Sequence, residues 1–228
     1  MSRRHLVLAA LVVTAIAVSF LSCRNKPAGQ GPAANGNEPP AGPAKEVEID
    51  LDKSIPVAMP TIETDLEPAN FQTADGKDGW AIRIPGGRPL ATPAYAEGLI
   101  FVGGGYGSHE FYAFDAETGK LAWQMKTADD GPTAAVVEDG CVAFNTESCT
   151  VVVADAMTGK LLWQEWLGDP LMSQPAISNG RLYMAYPESK GDGKHRLLCT
   201  ELKTGKHMWT QEITGDVISA PVVDGEKV

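Results

Sequence analysis

The stretch Gly103-Gly104-Gly105-Tyr106-Gly107-Ser108 has the composition of a loop that could wrap backbone amides around a phosphate. That chemistry needs a helix N-terminus behind the loop. Glu110-Phe111-Tyr112-Ala113-Phe114 reads instead as a strand, so the glycines predict a hairpin loop. His109, His195 and His207 carry imidazoles suited to metal binding or proton transfer, but they fall in different segments without ligand spacing. They read as surface histidines, and no metal-ligating or catalytic residue is predicted. The hydroxyls and acids stand where turns require them, so no Ser-His-Asp set can be assembled. Cys141 and Cys149 flank an expected hairpin turn, Asn145 to Ser148, close enough for a disulfide in an oxidising compartment if the register allows. A two-residue turn would pair Cys141 with Val152 instead, so a bridge and two free thiols both remain open. Cys199 reads as a buried thiol.

The elements that must position these groups follow from a repeat. Ala-x-Asp-x-x-Thr-Gly-Lys-x-x-Trp runs from Ala113 to Trp123 and returns with small changes at Val153 to Trp163 and Cys199 to Trp209. Counting Trp80, the tryptophans recur at intervals of about 40 to 46 residues, the length of one four-stranded propeller blade. Within a repeat the expected strands are Pro93 to Tyr95, Leu99 to Val102, Glu110 to Asp115 and a last one around Trp123. Gly119, Gly159 and Gly205 then occupy tight turns between third and fourth strands, where φ > 0 is needed. Asp115, Asp155 and Glu201 sit three residues before Thr118, Thr158 and Thr204 and should clasp those turns by hydrogen bonds. Each tryptophan should bury its ring against the next blade while its N–H finds a carbonyl.

These residues resemble the tryptophan-docking repeat of pyrroloquinoline-quinone (PQQ) type β-propellers. That superfamily includes PQQ-dependent dehydrogenases and BamB-type lipoproteins, binding scaffolds in outer-membrane protein assembly. The resemblance implies an all-β propeller of four-stranded blades. It also implies that Ala113, Val153 and Cys199 support one face of each tryptophan, while Gly159 and Gly205 cover the other face of Trp123 and Trp163. Val153, Cys199 and Glu201 depart from the usual alanine, alanine and aspartate. The match covers roughly residues 80 to 228, with about three complete blades and two partial ones, so the chain reads as an N-terminal fragment of a longer propeller.

Met1 to Ser22 combines Arg3 and Arg4 with an apolar stretch from Leu6 to Leu21, the layout of an export signal. Phe20-Leu21-Ser22-Cys23 resembles a bacterial lipoprotein box with Cys23 as the lipidated N-terminus; an uncleaved membrane anchor and ordinary secretion are the alternatives. Residues 23–45, rich in Pro, Gly, Ala and Asn, cannot bury a core and form a disordered tether. A lead-in segment, 46–79, opens with alternation from Val47 to Asp52 that suggests one strand, its acids a solvated face rather than a calcium site. Propeller repeats occupy 80–228.

The formal net charge is −10, and losing residues 1–22 removes two arginines and no acid, which argues against nucleic acid and against a basic membrane patch. The leading functional expectation is a non-catalytic scaffold of the cell envelope that binds proteins or peptides, with no cofactor. A PQQ dehydrogenase using calcium and a ligand-binding sensor using the central funnel are the alternatives. The adjacent cysteine pair that many such dehydrogenases stack on the quinone is missing from the sequence. Candidate partner contacts are Asp129, Asp130, Ser173 and Gln174, which precede first strands of blades and should reach the funnel rim.

Overall fold

The computed structural model describes residues 57–168, 173–187, 194–214, 220–225 and 227–228. The expected export signal, the tether, Cys23 and the strand anticipated at Val47 to Asp52 lie outside the described residues. Fourteen strands and no helix make up the described fold. β1 (Ala69–Gln72) and β2 (Asp78–Ala81) form a two-stranded sheet. Three four-stranded antiparallel blades follow in chain order. The first is β3 (Ala94–Ala96), β4 (Leu99–Gly103), β5 (Glu110–Asp115) and β6 (Leu121–Lys126). The second is β7 (Val136–Glu138), β8 (Cys141–Asn145), β9 (Thr150–Asp155) and β10 (Leu161–Trp166). The third is β11 (Ala176–Ser178), β12 (Arg181–Pro187), β13 (His195–Glu201) and β14 (His207–Ile213). These are successive blades of a β-propeller, each a meander whose strands run from an inner to an outer edge.

The sequence produces this meander through its turns. Glu97-Gly98, Asp139-Gly140 and Asn179-Gly180 all have positive φ at both residues, the type I′ geometry whose twist matches a two-residue hairpin between first and second strands. Alternation along the central strands then sends apolar side chains to both faces of each blade, since neither face is left to water. Leu99 and Phe101 face the second blade and pack with Val142, Phe144 and Val152. Cys141, Ala143, Val151 and Val153 leave the other face of that blade and meet Leu182, Met184 and Leu202 of the third. Ile100 packs with Trp80, and Val102 and Phe114 with Ile84, so the lead-in segment covers the remaining face of the first blade. The short inner strands β3, β7 and β11 stand side by side, with β7 touching both others.

Candidate functional site

Each joint between blades is built from one tryptophan and one turn. The indole N–H of Trp80 donates to the Ala116 carbonyl at 3.0 Å, that of Trp123 to Ala156 at 2.9 Å and that of Trp163 to Leu202 at 2.7 Å. In every case the acceptor lies in the third-to-fourth strand turn of the following blade. A Cβ added at Gly159 would come within 2.6 Å of the Trp123 ring, and one at Gly205 within 2.8 Å of Trp163. Only glycine lets these backbones lie on the rings. The opposite sides are set by register: Ala113 pairs with Trp123, Val153 with Trp163 and Cys199 with Trp209. Asp115 accepts from the Thr118 amide at 2.8 Å and hydroxyl at 2.6 Å, and Asp155 from those of Thr158 at 2.9 and 2.7 Å. Glu201 accepts the Thr204 hydroxyl at 2.6 Å. The threonine bonds hold the Asp115 and Asp155 carboxyls below the ordinary carboxylate range.

The cover of Trp80 was the one the sequence left unassigned. Gly119 lies on Trp80 as Gly159 lies on Trp123, with a Cβ distance of 2.6 Å. The β1–β2 hairpin is itself a further copy of the outer half of the repeat: Asp75-Gly76-Lys77-x-x-Trp80 aligns with Thr118-Gly119-Lys120-x-x-Trp123. Its signal was the Gly-Lys-x-x-Trp spacing, hidden because aspartate stands where threonine does elsewhere and the turn is closed by Thr73 donating to Asp75 at 2.5 Å.

At the opposite end of the blades the second-to-third strand loops meet the connections between blades. Asp129 and Ser173 are not free to meet a partner. Asp129 accepts from the Thr146 hydroxyl, from the Ser148 amide at 2.8 Å and from the Ser148 hydroxyl at 2.7 Å, pinning the β8–β9 loop. Burial works against its charge, yet these bonds hold its carboxyl below the ordinary range. Ser173 is fully buried, and its carbonyl accepts the Asn145 side-chain amide at 2.9 Å. Asp130 and Gln174 are half-buried at the same end. Beside Asp130 stands Tyr106, 58% exposed, whose hydroxyl is raised above its usual pKa by a bond to Glu147 and by the charge of Asp130. Tyr106 lies in the glycine-rich β4–β5 loop, which is a hairpin connection as expected, with Ser108 N–H donating to Gly105 at 2.9 Å.

Of the two readings left open for Cys141 and Cys149, the structure shows the free thiols, both buried. Cys141 opens the five-residue strand β8 opposite Asp155, while Cys149 lies in the loop beyond its far end. At about 3.3 Å per residue a strand of that length separates its ends by about 13 Å, well past disulfide reach. The loop is longer than a two-residue turn, closed by the Thr146 amide on Thr150, so Val152 faces Phe144 rather than Cys141. Burial pushes the Cys149 thiol up to about 11. Cys199 is likewise buried, 4.0 Å from the Met208 sulfur. Among the described residues no three His, Cys, Asp or Glu side chains converge to hold a metal ion.

Comparison with known proteins agrees with this geometry. A family model described as outer membrane protein assembly factor BamB matches residues 69–168 and 147–228. The chain is 26% identical to outer membrane protein assembly factor BamB of Burkholderia pseudomallei (strain K96243), over 67% of this chain and 37% of that protein. It is 28% identical to a polyvinylalcohol dehydrogenase of a Pseudomonas species, over 46% of this chain and 24% of the relative. The matches thus span well under half the length of either relative. Among solved structures, the computationally designed protein Ika4 superposes with a TM-score of 0.51 at 19% identity, over 60% of this chain and 81% of that one, a likeness of fold alone. With its repeats matched over both spans of the family model, the chain belongs to the BamB-type family of PQQ-like repeat β-propellers.

Proposed function

We propose that this protein is an exported, non-catalytic binding scaffold of the bacterial cell envelope, tethered by lipid on Cys23. The observation that carries the reading is that the tryptophans and glycines of the repeated motif hold the joints between the described blades and its acids and threonines close the turns, which leaves loops rather than a chemical cluster as the surface for recognition. Family membership and the similarity to an outer membrane protein assembly factor support envelope proteins, or peptides from them, as partners. Tyr106, Asp130, Glu147 and Gln174 are the contacts proposed, because they share one end of the blades and keep solvent access. The layout of residues 1–23 supports export and lipidation.

A second reading, a quinone-dependent dehydrogenase, is favoured by the similarity to polyvinylalcohol dehydrogenase. The deciding experiment adds PQQ and calcium to the full-length protein and follows quinone absorbance and dye-linked oxidation of alcohols and sugars. Stoichiometric quinone binding with turnover overturns the scaffold; neither signal, together with specific co-purification of envelope proteins that is lost in Tyr106→Ala, supports it. Mass spectrometry of membrane-extracted protein checks the tether, which fails if the mature N-terminus is anything but acylated Cys23.

A further inference from the structure

Asn179-Gly180 is a pair of neighbours prone to react with itself. The backbone nitrogen that follows an asparagine can attack the side-chain carbonyl, and glycine puts no Cβ in the way. The pair fills the turn between β11 and β12, where the first two blades carry acids, Glu97-Gly98 and Asp139-Gly140. Asn179 is exposed, its side-chain amide donating to the Ser178 hydroxyl at 3.1 Å. Gly180, by contrast, is held through both backbone groups. Its N–H donates to Glu138 Oε1 of the preceding blade at 2.7 Å, and its carbonyl accepts from the Leu202 amide at 2.9 Å. The Leu202 carbonyl accepts the Trp163 indole N–H, so the turn is wired into the joint between the second and third blades. The bond to the glycine carbonyl recurs in the other joints, from Ala116 to Gly98 and from Ala156 to Gly140. The carboxylate does not recur: Ala96 in the first blade and Ser178 in the third stand in the place of Glu138. Among the described blades, the carboxylate at this position faces the turn that carries an amide.

Ring closure requires Asn179 to swing until the Gly180 nitrogen reaches its Cγ, and that nitrogen must give up its proton. Glu138 opposes both. Its charge-assisted bond fixes the N–H where it is, and a carboxylate is too weak a base to take an amide proton. Its negative charge also disfavours the anion the nitrogen must become, as does that of Asp139, whose Oδ2 lies 4.0 Å from where a Gly180 Cβ would stand. We propose that Asn179 is a self-modification site, kept unreacted by Glu138 across the joint and released when the second and third blades separate. The Gly180 nitrogen then bonds to Asn179 Cγ and loses its proton to solvent, while the Cγ–Nδ2 bond breaks and ammonia leaves. Water opens the resulting succinimide at either carbonyl, giving aspartate or isoaspartate. Isoaspartate puts an extra carbon into a backbone turn that sets the pairing of Ser178 with Arg181 and Ile177 with Leu182, so the three-residue strand β11 loses its register. The product is a covalent record that the joint has opened.

The full chain, folded at neutral pH and unfolded in urea, is incubated side by side. Peptide mass spectrometry follows the conversion of amide to acid at Asn179, and an isoaspartyl methyltransferase assay follows the rearranged product. Asn179 should react at least about tenfold more slowly in the folded chain, since only the opened joint reacts. Glu138→Ala should raise the folded rate by about tenfold or more, the factor a bond to a charged acceptor is worth. Glu138→Gln, which keeps an acceptor oxygen without the charge, should fall between. Circular dichroism of both variants should match the parent. Asn35-Gly36, the other such pair in the sequence and outside the described residues, supplies an internal rate that both should leave unchanged. A folded chain that reacts as fast as the unfolded one overturns the proposal. So does an Asn179 that stays intact in urea while Asn35 is converted, or a Glu138→Ala variant that reacts no faster than the parent.

Discussion

Between the first and second blades the joint closes over Trp123 with Phe101 and Phe111 beside the indole, and Phe111 stacks on Phe144 with centroids 4.0 Å apart. Between the second and third blades the same motif sits on a different filling, the small and flexible Cys141, Ala143, Val151, Leu182 and Met184. Both joints have the indole-to-carbonyl bond and the glycine on the ring. Yet Trp123 is 8% exposed, whereas Trp163 is only half-buried and Leu162 and Trp166 beside it on β10 stand open. The motif therefore fixes how blades are placed, and the residues between them fix how dry the joint becomes.

Truncating the tryptophans tests that distinction most strongly. Trp123→Ala should lower unfolding free energy by roughly 3–5 kcal/mol, the usual cost of removing a buried ring and leaving its cavity. Trp163→Ala should cost about 1–2 kcal/mol less, because less area leaves water there. Equilibrium urea unfolding of the two variants gives both numbers, and equal losses would show that the hydrogen bond and the glycine contact, not the filling, dominate.

The glycine contact itself can be separated from backbone strain. Gly159, Gly205 and Gly76 have φ of 68°, 69° and 80°, so alanine at any of them meets the left-handed penalty of about 1–2 kcal/mol. At Gly159 the new methyl also collides with Trp123, adding about 1–3 kcal/mol of overpacking. Gly76→Ala, with nothing within 4 Å of its new methyl, should show the strain alone. Thermal melts that rank Gly159→Ala and Gly205→Ala level with Gly76→Ala would remove the close approach as the reason for glycine.

A smaller effect isolates the aromatic filling. Phe144→Leu keeps an apolar side chain but loses the stack on Phe111, an arrangement worth about 0.5–1.5 kcal/mol beyond its area. Met184→Leu across the other joint, a volume-conserving change, should cost less than about 1.5 kcal/mol and leave the blades' order intact. Chemical denaturation comparing the two decides whether aromatic contact or volume sets the difference between joints.

Much of this architecture was legible in the sequence because the repeat carries its own register. The Thr-Gly-Lys turns and the tryptophans fixed β5–β6, β9–β10 and β13–β14 to within a residue or two, and with them the residues of both central joints. The strand around Trp80 was legible as part of a partial blade, but its partner strand β1 was not, because a shorter turn replaced the threonine clasp. Loop chemistry was less readable. Asp129 looked like an exposed acid, but three donors from a neighbouring blade's loop claim it, a contact between residues about 19 positions apart that no local pattern announces. Ser173 looked exposed for the same reason, being short and polar before a strand, yet the neighbouring blade seals it. The cysteine pair could not be decided from sequence because the β8–β9 loop length sets the register, and the observed one places Cys141 opposite Asp155 with Cys149 in the loop past the far end of β8.

The gentlest perturbation concerns the clasps that close the turns beneath each tryptophan. Threonine bonds depress the Asp115 and Asp155 carboxyls in the folded state below the ordinary value of 3.8. A depressed folded pKa contributes stability that is fully present above the unfolded value and is lost as pH falls through the folded one. Stability should thus be level from about pH 7 to 5 and decline below about pH 4, where unfolded carboxyls begin to bind protons that folded ones refuse. Asn at either position keeps an acceptor oxygen for Thr118 or Thr158 but no longer titrates, so Asp155→Asn should cost less than about 1 kcal/mol at pH 7, as exposed charge contacts do. Its melting temperature should fall less steeply than the parent's between about pH 4 and 2. If the acid slope is unchanged in Asp115→Asn and Asp155→Asn alike, the decline belongs to the half-buried Asp129 clamp at the other end of the blades, and the clasps are then geometric guides to the turn with no share in its acid sensitivity.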